Sequence, residues 1–202
     1  MDIANLDRRA RAAGYDDGLL ELFAAVVLLL LAAGWSVAPG LVGLLAAVVA
    51  IYGWRVVERV KVRVTYPRIG YFQERTDEPR SSARGMLLFI GGALLLTALV
   101  VWLSGGFTDA SAWRRAAPLA SGITLAGGFW YAAERSQRPR HRIIAAWSML
   151  SGIGLWLWGT GTSYVSVAWH LTGLAVPLAA IGVWALRRFL ASHPVQHGPD
   201  DA

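Results

Sequence analysis

LLELFAAVVLLLLAAGWSVAPGLVGLLAAVVAIYGWRVV, residues 19–57, is the stretch that decides the fold. It holds two long apolar runs, 19–35 and 37–57, joined at a turn that contains Pro39 and Gly40. The hydrocarbon core of a bilayer is about 30 Å thick and is crossed by roughly 20 helical residues, each satisfying its backbone polar groups within its own helix. The stretch therefore reads as a transmembrane helical hairpin. Leu31, Ala32, Ala33 and Gly34 resemble a signal-peptide cleavage region, but Asp16 and Asp17 directly precede the run and a mixed-charge leader makes a poor signal, so the first helix is expected to be retained.

Four further apolar runs follow, at 86–103, 116–133, 143–158 and 164–186. The expectation is an all-α, six-span bundle of three hairpins, closed outside and linked inside. A short N-terminal segment, 1–18, precedes the transmembrane domain, 19–188, and a tail, 189–202, follows it. Composition agrees: 55% of the 202 residues are hydrophobic and 16% are charged, which leaves little for a soluble domain. No cysteine is present, so disulfides, thiolate metal sites and cysteine nucleophiles are excluded.

Charge sets the orientation. Of 19 basic residues, all but Arg114 and Arg115 fall before the first run, at the end of the second or between it and the third, between the fourth and fifth, or after the sixth. By the positive-inside rule both termini and the two longer loops face the cytoplasm, in a bacterial-type inner membrane. The ten tryptophans follow the same layout. Trp35, Trp102, Trp113, Trp156, Trp158 and Trp169 lie near the outer ends, and Trp54, Trp130, Trp147 and Trp184 near the inner ends, where an indole keeps its ring buried and its N–H wet. The basic residues thus belong to topology, and nucleic acid is not an expected partner.

Every second run closes on a tryptophan followed by charge: Trp54 before Glu58 and Arg59, Trp130 before Glu134 and Arg135, Trp184 before Arg187 and Arg188. The positive-inside rule generates that pattern without an internal repeat, and the spacings are unequal. Gly122 with Ala126, and Ser148 with Gly152, stand four apart and mark close helix contacts. Pro177 interrupts the sixth run and predicts a kink.

The longest polar segment, 61–84, begins KVRVTYPRIGYFQER. Alternating Val60, Val62 and Val64, then Pro67 to Gly70 at a turn, then Tyr71 and Phe72, predict a short β-hairpin across 61–75. Arg63, Arg68 and Arg75 interleave with Tyr66 and Tyr71. These five form the candidate surface for anion or partner binding, suited to anionic lipid headgroups, with each basic residue worth about 1 kcal/mol near a charged leaflet, or to a membrane or cytoplasmic protein.

Asp17, Gly18, Leu19, Leu20 and Glu21 at the start of the first helix, together with TYPRIGY at 65–71, resemble a group of uncharacterised prokaryotic multi-pass integral membrane proteins that share a DGLxE helix start and a TYPRxGY cytoplasmic loop. The resemblance covers the first third of the chain. It implies that helix start and loop belong together, and it brings no assigned activity. The hairpin places Glu21 at the depth of Arg55 and Arg59, so an interfacial ion pair with one of them is expected, as charge near a helix end can reach the interface.

Few polar groups lie deeper: Thr97, Ser121, Thr124, Ser148, Ser151, His170 and Thr172. No carboxylate lies near the midplane of a run, which disfavours an ion-coupled pump. Ser151 and His170 fall at comparable depth and form the one candidate nucleophile–base pair, weakly similar to rhomboid proteases. Met149 stands where those enzymes have glycine, however, and packing is the stronger reading. His193 and His197 are separated by Pro194 and so offer no aligned metal ligands. Neither catalytic residues, metal nor cofactor is assigned. The expected role is that of an accessory or interaction module working through its basic aromatic loop. A small-molecule permease or permease subunit is the alternative, and a Ser–His hydrolase comes third.

Overall fold

A computed structural model describes residues 15–38, 41–69, 91–92, 95–99, 101–103, 110–158 and 163–194. They are almost entirely helical, and no strand occurs among them. The helices are α1 (Leu19–Val37), α2 (Val42–Val64), a single turn α3 (Tyr66–Ile69), α4 (Ala110–Ser136), α5 (Pro139–Trp158) and α6 (Ser163–Ser192). Residues 91–92, 95–99 and 101–103, within the third apolar run, are helical as well.

The expected β-hairpin is corrected. Residues 61–64 are the last turn of α2 and 66–69 are helical, while 70–75 lie outside the described residues. The valines at 60, 62 and 64 do alternate with charge, but tertiary anchoring overrides that local preference. Lys61 and Thr65 are both buried, four residues apart on one helical face, and the Thr65 N–H donates to the Lys61 carbonyl at 2.8 Å.

Among the described residues two helices are long and apolar enough to cross a membrane. These are Leu19–Val37, with mean hydropathy 2.2, and Val165–Ser192, with mean hydropathy 1.6. Only 22% and 33% of these apolar windows are buried within the molecule, so most of their hydrophobic surface faces outward. Val26, Leu30, Val176 and Trp169 are among the exposed side chains.

Packing among the described helices is closest between α1 and α6 and between α4 and α5. Neither pair is one of the hairpins expected to close outside. The core shows why. Val167, Ala168, Leu171, Leu174, Ala175 and Leu178 form a stripe along α6 at helical spacing, and Ala25, Leu28 and Ala32 of α1 pack against it with Ile144 of α5. At one end the backbones nearly touch. A Cβ on Gly182 would lie 2.8 Å from Leu22 Cγ and 3.0 Å from Leu22 N, and one on Gly18 would strike the Gly182 carbonyl. Gly18 also has φ 70°, a left-handed conformation that starts α1 and that glycine adopts without strain. The α4–α5 crossing uses the same device, with Gly122 and Gly152 so close that a Cβ on either meets the other's Cα at 3.0 Å.

The turn between α4 and α5 is only two residues long. Gln137 takes φ 55°, its N–H donating to the Ala133 carbonyl at 2.8 Å, and Pro139 opens α5 with its fixed φ. This tight reversal brings Ser136, Arg138, Arg140 and His141 to the end of the bundle where α1 begins.

Candidate functional site: a buried polar clasp at the basic end

Four segments meet at this end: the start of α1, the end of α2, the α4–α5 turn and the last turns of α6. Asp17 is 1% exposed. Its Oδ1 accepts the Leu19 N–H at 3.1 Å, and its Oδ2 accepts the Thr65 hydroxyl at 2.8 Å. Burial pushes the Asp17 carboxyl above the ordinary aspartate range, opposed by the nearby Lys61 charge and by these two hydrogen bonds. The Lys61 ammonium lies 5.1 Å over the Tyr15 ring.

Glu21 sits one turn further along α1 and is equally buried. Its partners come from α5: Arg140 Nε at 2.6 Å and His141 Nε2 at 2.8 Å, both on Oε1. His141 Nδ1 meets Ser136 Oγ at 2.7 Å, and that oxygen accepts the Arg138 N–H at 3.3 Å. One proton arrangement satisfies the chain of contacts. Nε2–H donates to Glu21, Nδ1 accepts from the Ser136 hydroxyl, and the Ser136 oxygen accepts from Arg138. The guanidinium of Arg140 also donates to the Tyr15 carbonyl, and Arg138 pairs with Asp16. The α4–α5 turn is thereby fastened to the start of α1 by four polar contacts. Inside the cluster two carboxylates, Asp17 and Glu21, face two cations, Lys61 and Arg140, a balance that buried charge requires.

The expected pairing of Glu21 with Arg55 or Arg59 is not what the structure shows. Arg55 lies 5.8 Å over the ring of Tyr52 on its own helix, and Arg59 is exposed. Hairpin adjacency did not predict the neighbour of Glu21, because α5 brings both a cation and an imidazole to the same carboxylate. Of the candidate binding surface, Arg63, Tyr66 and Arg68 fall on the last turn of α2 and on α3. Tyr66 donates its hydroxyl to Glu58 Oε1 at 2.7 Å, Arg68 donates to the Val64 carbonyl at 2.6 Å, and Arg63 is exposed. Tyr71 and Arg75 lie outside the described residues.

Ser151 and His170 do meet, with Oγ and Nδ1 3.0 Å apart. The Ser151 hydroxyl is also 3.1 Å from the Ser148 carbonyl, the usual back-bond of a helical serine. Neither residue lines the cavity at the basic end or the one bounded by Leu31, Ser121 and Leu171. Among the described residues no group of three or more His, Asp or Glu stands close enough to hold a metal ion.

Sequence reasoning missed His141, Ser136 and Arg140. The one available signal was the short RPRHR run at 138–142, where proline directly after a basic residue marks a helix start that must dock somewhere. Comparison with protein-family models, with curated proteins and with solved structures finds no match to this chain.

Proposed function

We propose that the chain is a six-span inner-membrane protein with both termini cytoplasmic, acting as an accessory or interaction module through the basic aromatic loop whose sequence carries Arg63, Tyr66, Arg68, Tyr71 and Arg75. The observation that carries this reading is the Asp17–Thr65 hydrogen bond, with Lys61 buried beside it. It anchors the end of α2 to α1 at the start of that loop, and a rigid support of this kind favours recognition over a merely topogenic loop. The topology is supported by the convergence at one end of the start of α1, the end of α2, the α4–α5 turn and the end of α6. That is the end expected to be cytoplasmic from the charge distribution, and the arrangement fits an up-and-down path. The shared helix start and loop of the group that the chain resembles also fit, since Asp17 belongs to one motif and Thr65 to the other.

Site-specific photocrosslinking in intact membranes tests this. A crosslinker at Tyr66 or Tyr71 is expected to give one discrete protein adduct that is lost when Arg63, Arg68 and Arg75 are changed together to glutamine. The matched control changes Arg55, Arg59 and Arg142, since Arg138 and Arg140 are structural. Equal adducts in both triple variants, or none in the unaltered protein, would reduce the segment to an ordinary positive-inside loop.

A permease is the second reading, favoured by a cavity of about 450 Å³ between α1, the 97–101 helix, α4 and α6. Its lining is mostly apolar, and the hydroxyls of Ser121 and Thr124 donate to carbonyls of their own helix, at Pro118 and Ala120. Little polar capacity is left to guide a solute, which ranks this reading second.

A further inference from the structure

A second cavity, about 290 Å³ in volume, opens at the basic end. It lies between the start of α1, the α4–α5 turn and the last turns of α6, and Asp16, Arg138, Arg140, Trp184, Arg188 and His193 line it. Its size is at the low end for ligand pockets, enough for a headgroup and too small for a large organic molecule.

The charge in its walls is unbalanced. Arg138 is paired with Asp16, and Arg140 with Glu21 behind the wall. Arg188 has no carboxylate within ion-pair distance among the described residues, and its guanidinium rests 5.5 Å over the Trp184 ring. Among the described residues three guanidiniums stand against two carboxylates, and Arg188 is the one without a carboxylate at ion-pair distance. Beside it, the His193 ring stacks on Phe189 at 4.7 Å, and Nδ1 is engaged by Ser192 Oγ at 3.0 Å, so Nε2 is its remaining hydrogen-bonding position.

We propose that the juxtaposition of Arg188 and His193 with the fixed guanidiniums of Arg138 and Arg140 forms a binding site for a phosphate group in a ligand of net negative charge, one that carries no cationic substituent to cancel it. Arg138 and Arg140 are held in place by their carboxylate partners before any ligand arrives, and Arg188 supplies the uncompensated charge. The anion has two chemical sources, the headgroup of an anionic lipid and free phosphate. The lipid fits more of the pocket. The site lies at the C-terminal end of α6, one of the two helices able to cross a bilayer, where the membrane surface would fall, and Trp184 and Phe189 provide an aromatic wall suited to that depth.

Thermal unfolding of the full chain in neutral detergent, with added phosphatidylglycerol, phosphatidylcholine or inorganic phosphate, tests the site. Phosphatidylglycerol is expected to raise Tm and phosphatidylcholine to leave it unchanged. In Arg188→Gln the half-saturating phosphatidylglycerol concentration should rise about tenfold or more, as for a lost charge-assisted contact. His193→Gln should show a smaller increase, and Arg114→Gln, at the far end of the bundle, none. Arg188 is exposed and without a carboxylate partner among the described residues, so its variant should fold normally. If inorganic phosphate raises Tm with the same dependence on Arg188, the site stands and its anion is the soluble one. No Tm rise with either probe, or an equal response in Arg188→Gln and Arg114→Gln, would overturn the proposal. The crosslinking triples leave Arg188 and His193 intact, so the two readings fail separately.

Discussion

The Thr65 hydroxyl donates to the Asp17 carboxylate at 2.8 Å across 48 residues of chain, joining the two short motifs of the first third of the sequence in one buried contact. Asp17 ends the turn that starts α1, and Thr65 ends α2. Their contact fixes where the α2–α3 corner sits relative to the first helix, and with it Arg63, Tyr66 and Arg68.

That contact has a pH signature. Burial raises the Asp17 pKa in the folded chain, so the folded state holds this proton more tightly than the unfolded chain does. Stability therefore falls as pH rises from the ordinary aspartate range through the folded value. Asp17→Asn removes this slope. Relative to the unaltered protein, its Tm is expected to be lowest in acid and to improve toward neutral pH. Thr65→Val leaves Oδ2 of the buried carboxylate without its donor, while Oδ1 keeps the Leu19 N–H, and should cost about 1–3 kcal/mol at neutral pH. A constant Tm difference between Asp17→Asn and the unaltered protein from pH 4 to 7 would contradict the assignment.

Glu21 yields a contrast between partners chosen by sequence and partners observed. Glu21→Gln removes the charge opposite Arg140 and His141 in a buried setting, and breaking such a pair costs roughly 3–5 kcal/mol. Arg55→Gln and Arg59→Gln touch only exposed groups and should stay within about 0.5 kcal/mol of the unaltered protein. Unfolding in mixed detergent would read all three. A loss in Arg59→Gln equal to that in Glu21→Gln would return the ion pair to α2.

What the sequence revealed, and what it did not, follows from the range of the signals. The all-α class was legible because apolar runs such as 19–35 report the helix directly, residue by residue. The Ser151–His170 contact was legible for the same reason, since it needs only two neighbouring helices with the two residues at matching positions. Helix partnership was not. The α1–α6 packing rests on Gly18 and Gly182, 164 positions apart in the numbering, and isolated glycines in apolar runs carry no mark of their partner. The end of α2 was misread because alternating valines resemble a strand, and the helical outcome depends on Asp17, which a local window does not include.

The glycine crossings predict opposite outcomes for similar substitutions. Gly182→Ala forces a methyl group into Leu22 and should destabilise by about 1–3 kcal/mol, the usual cost of overpacking. Gly173→Ala, on the same helix, meets nothing within 4 Å and should be neutral or stabilising by up to about 1 kcal/mol through helix propensity. Equal losses at both positions would mean that α6 does not cross α1 at Gly182.

Ser151 is expected to be chemically silent. Its hydroxyl has a helix carbonyl at hydrogen-bond distance, so a fluorophosphonate probe should not label the protein, whereas Ser151→Ala strips the buried His170 imidazole of its Nδ1 partner and should lower Tm. Labelling that disappears in Ser151→Ala would restore the hydrolase reading, with His170 as the base.

The topology is open to a direct test because the chain has no cysteine. Arg114 and Ser192 are both exposed, and they lie at the ends expected outside and inside. With a membrane-impermeant maleimide on intact cells, Arg114→Cys should label and Ser192→Cys should not, and Ser192→Cys should label once the membrane is permeabilised. The basic end also contains the Asp17–Thr65 contact, the Glu21 clasp and the Arg188 pocket. Labelling of Ser192→Cys from outside would therefore move all three to the outer surface. The crosslinked partner and the phosphate-bearing ligand would then have to be sought there.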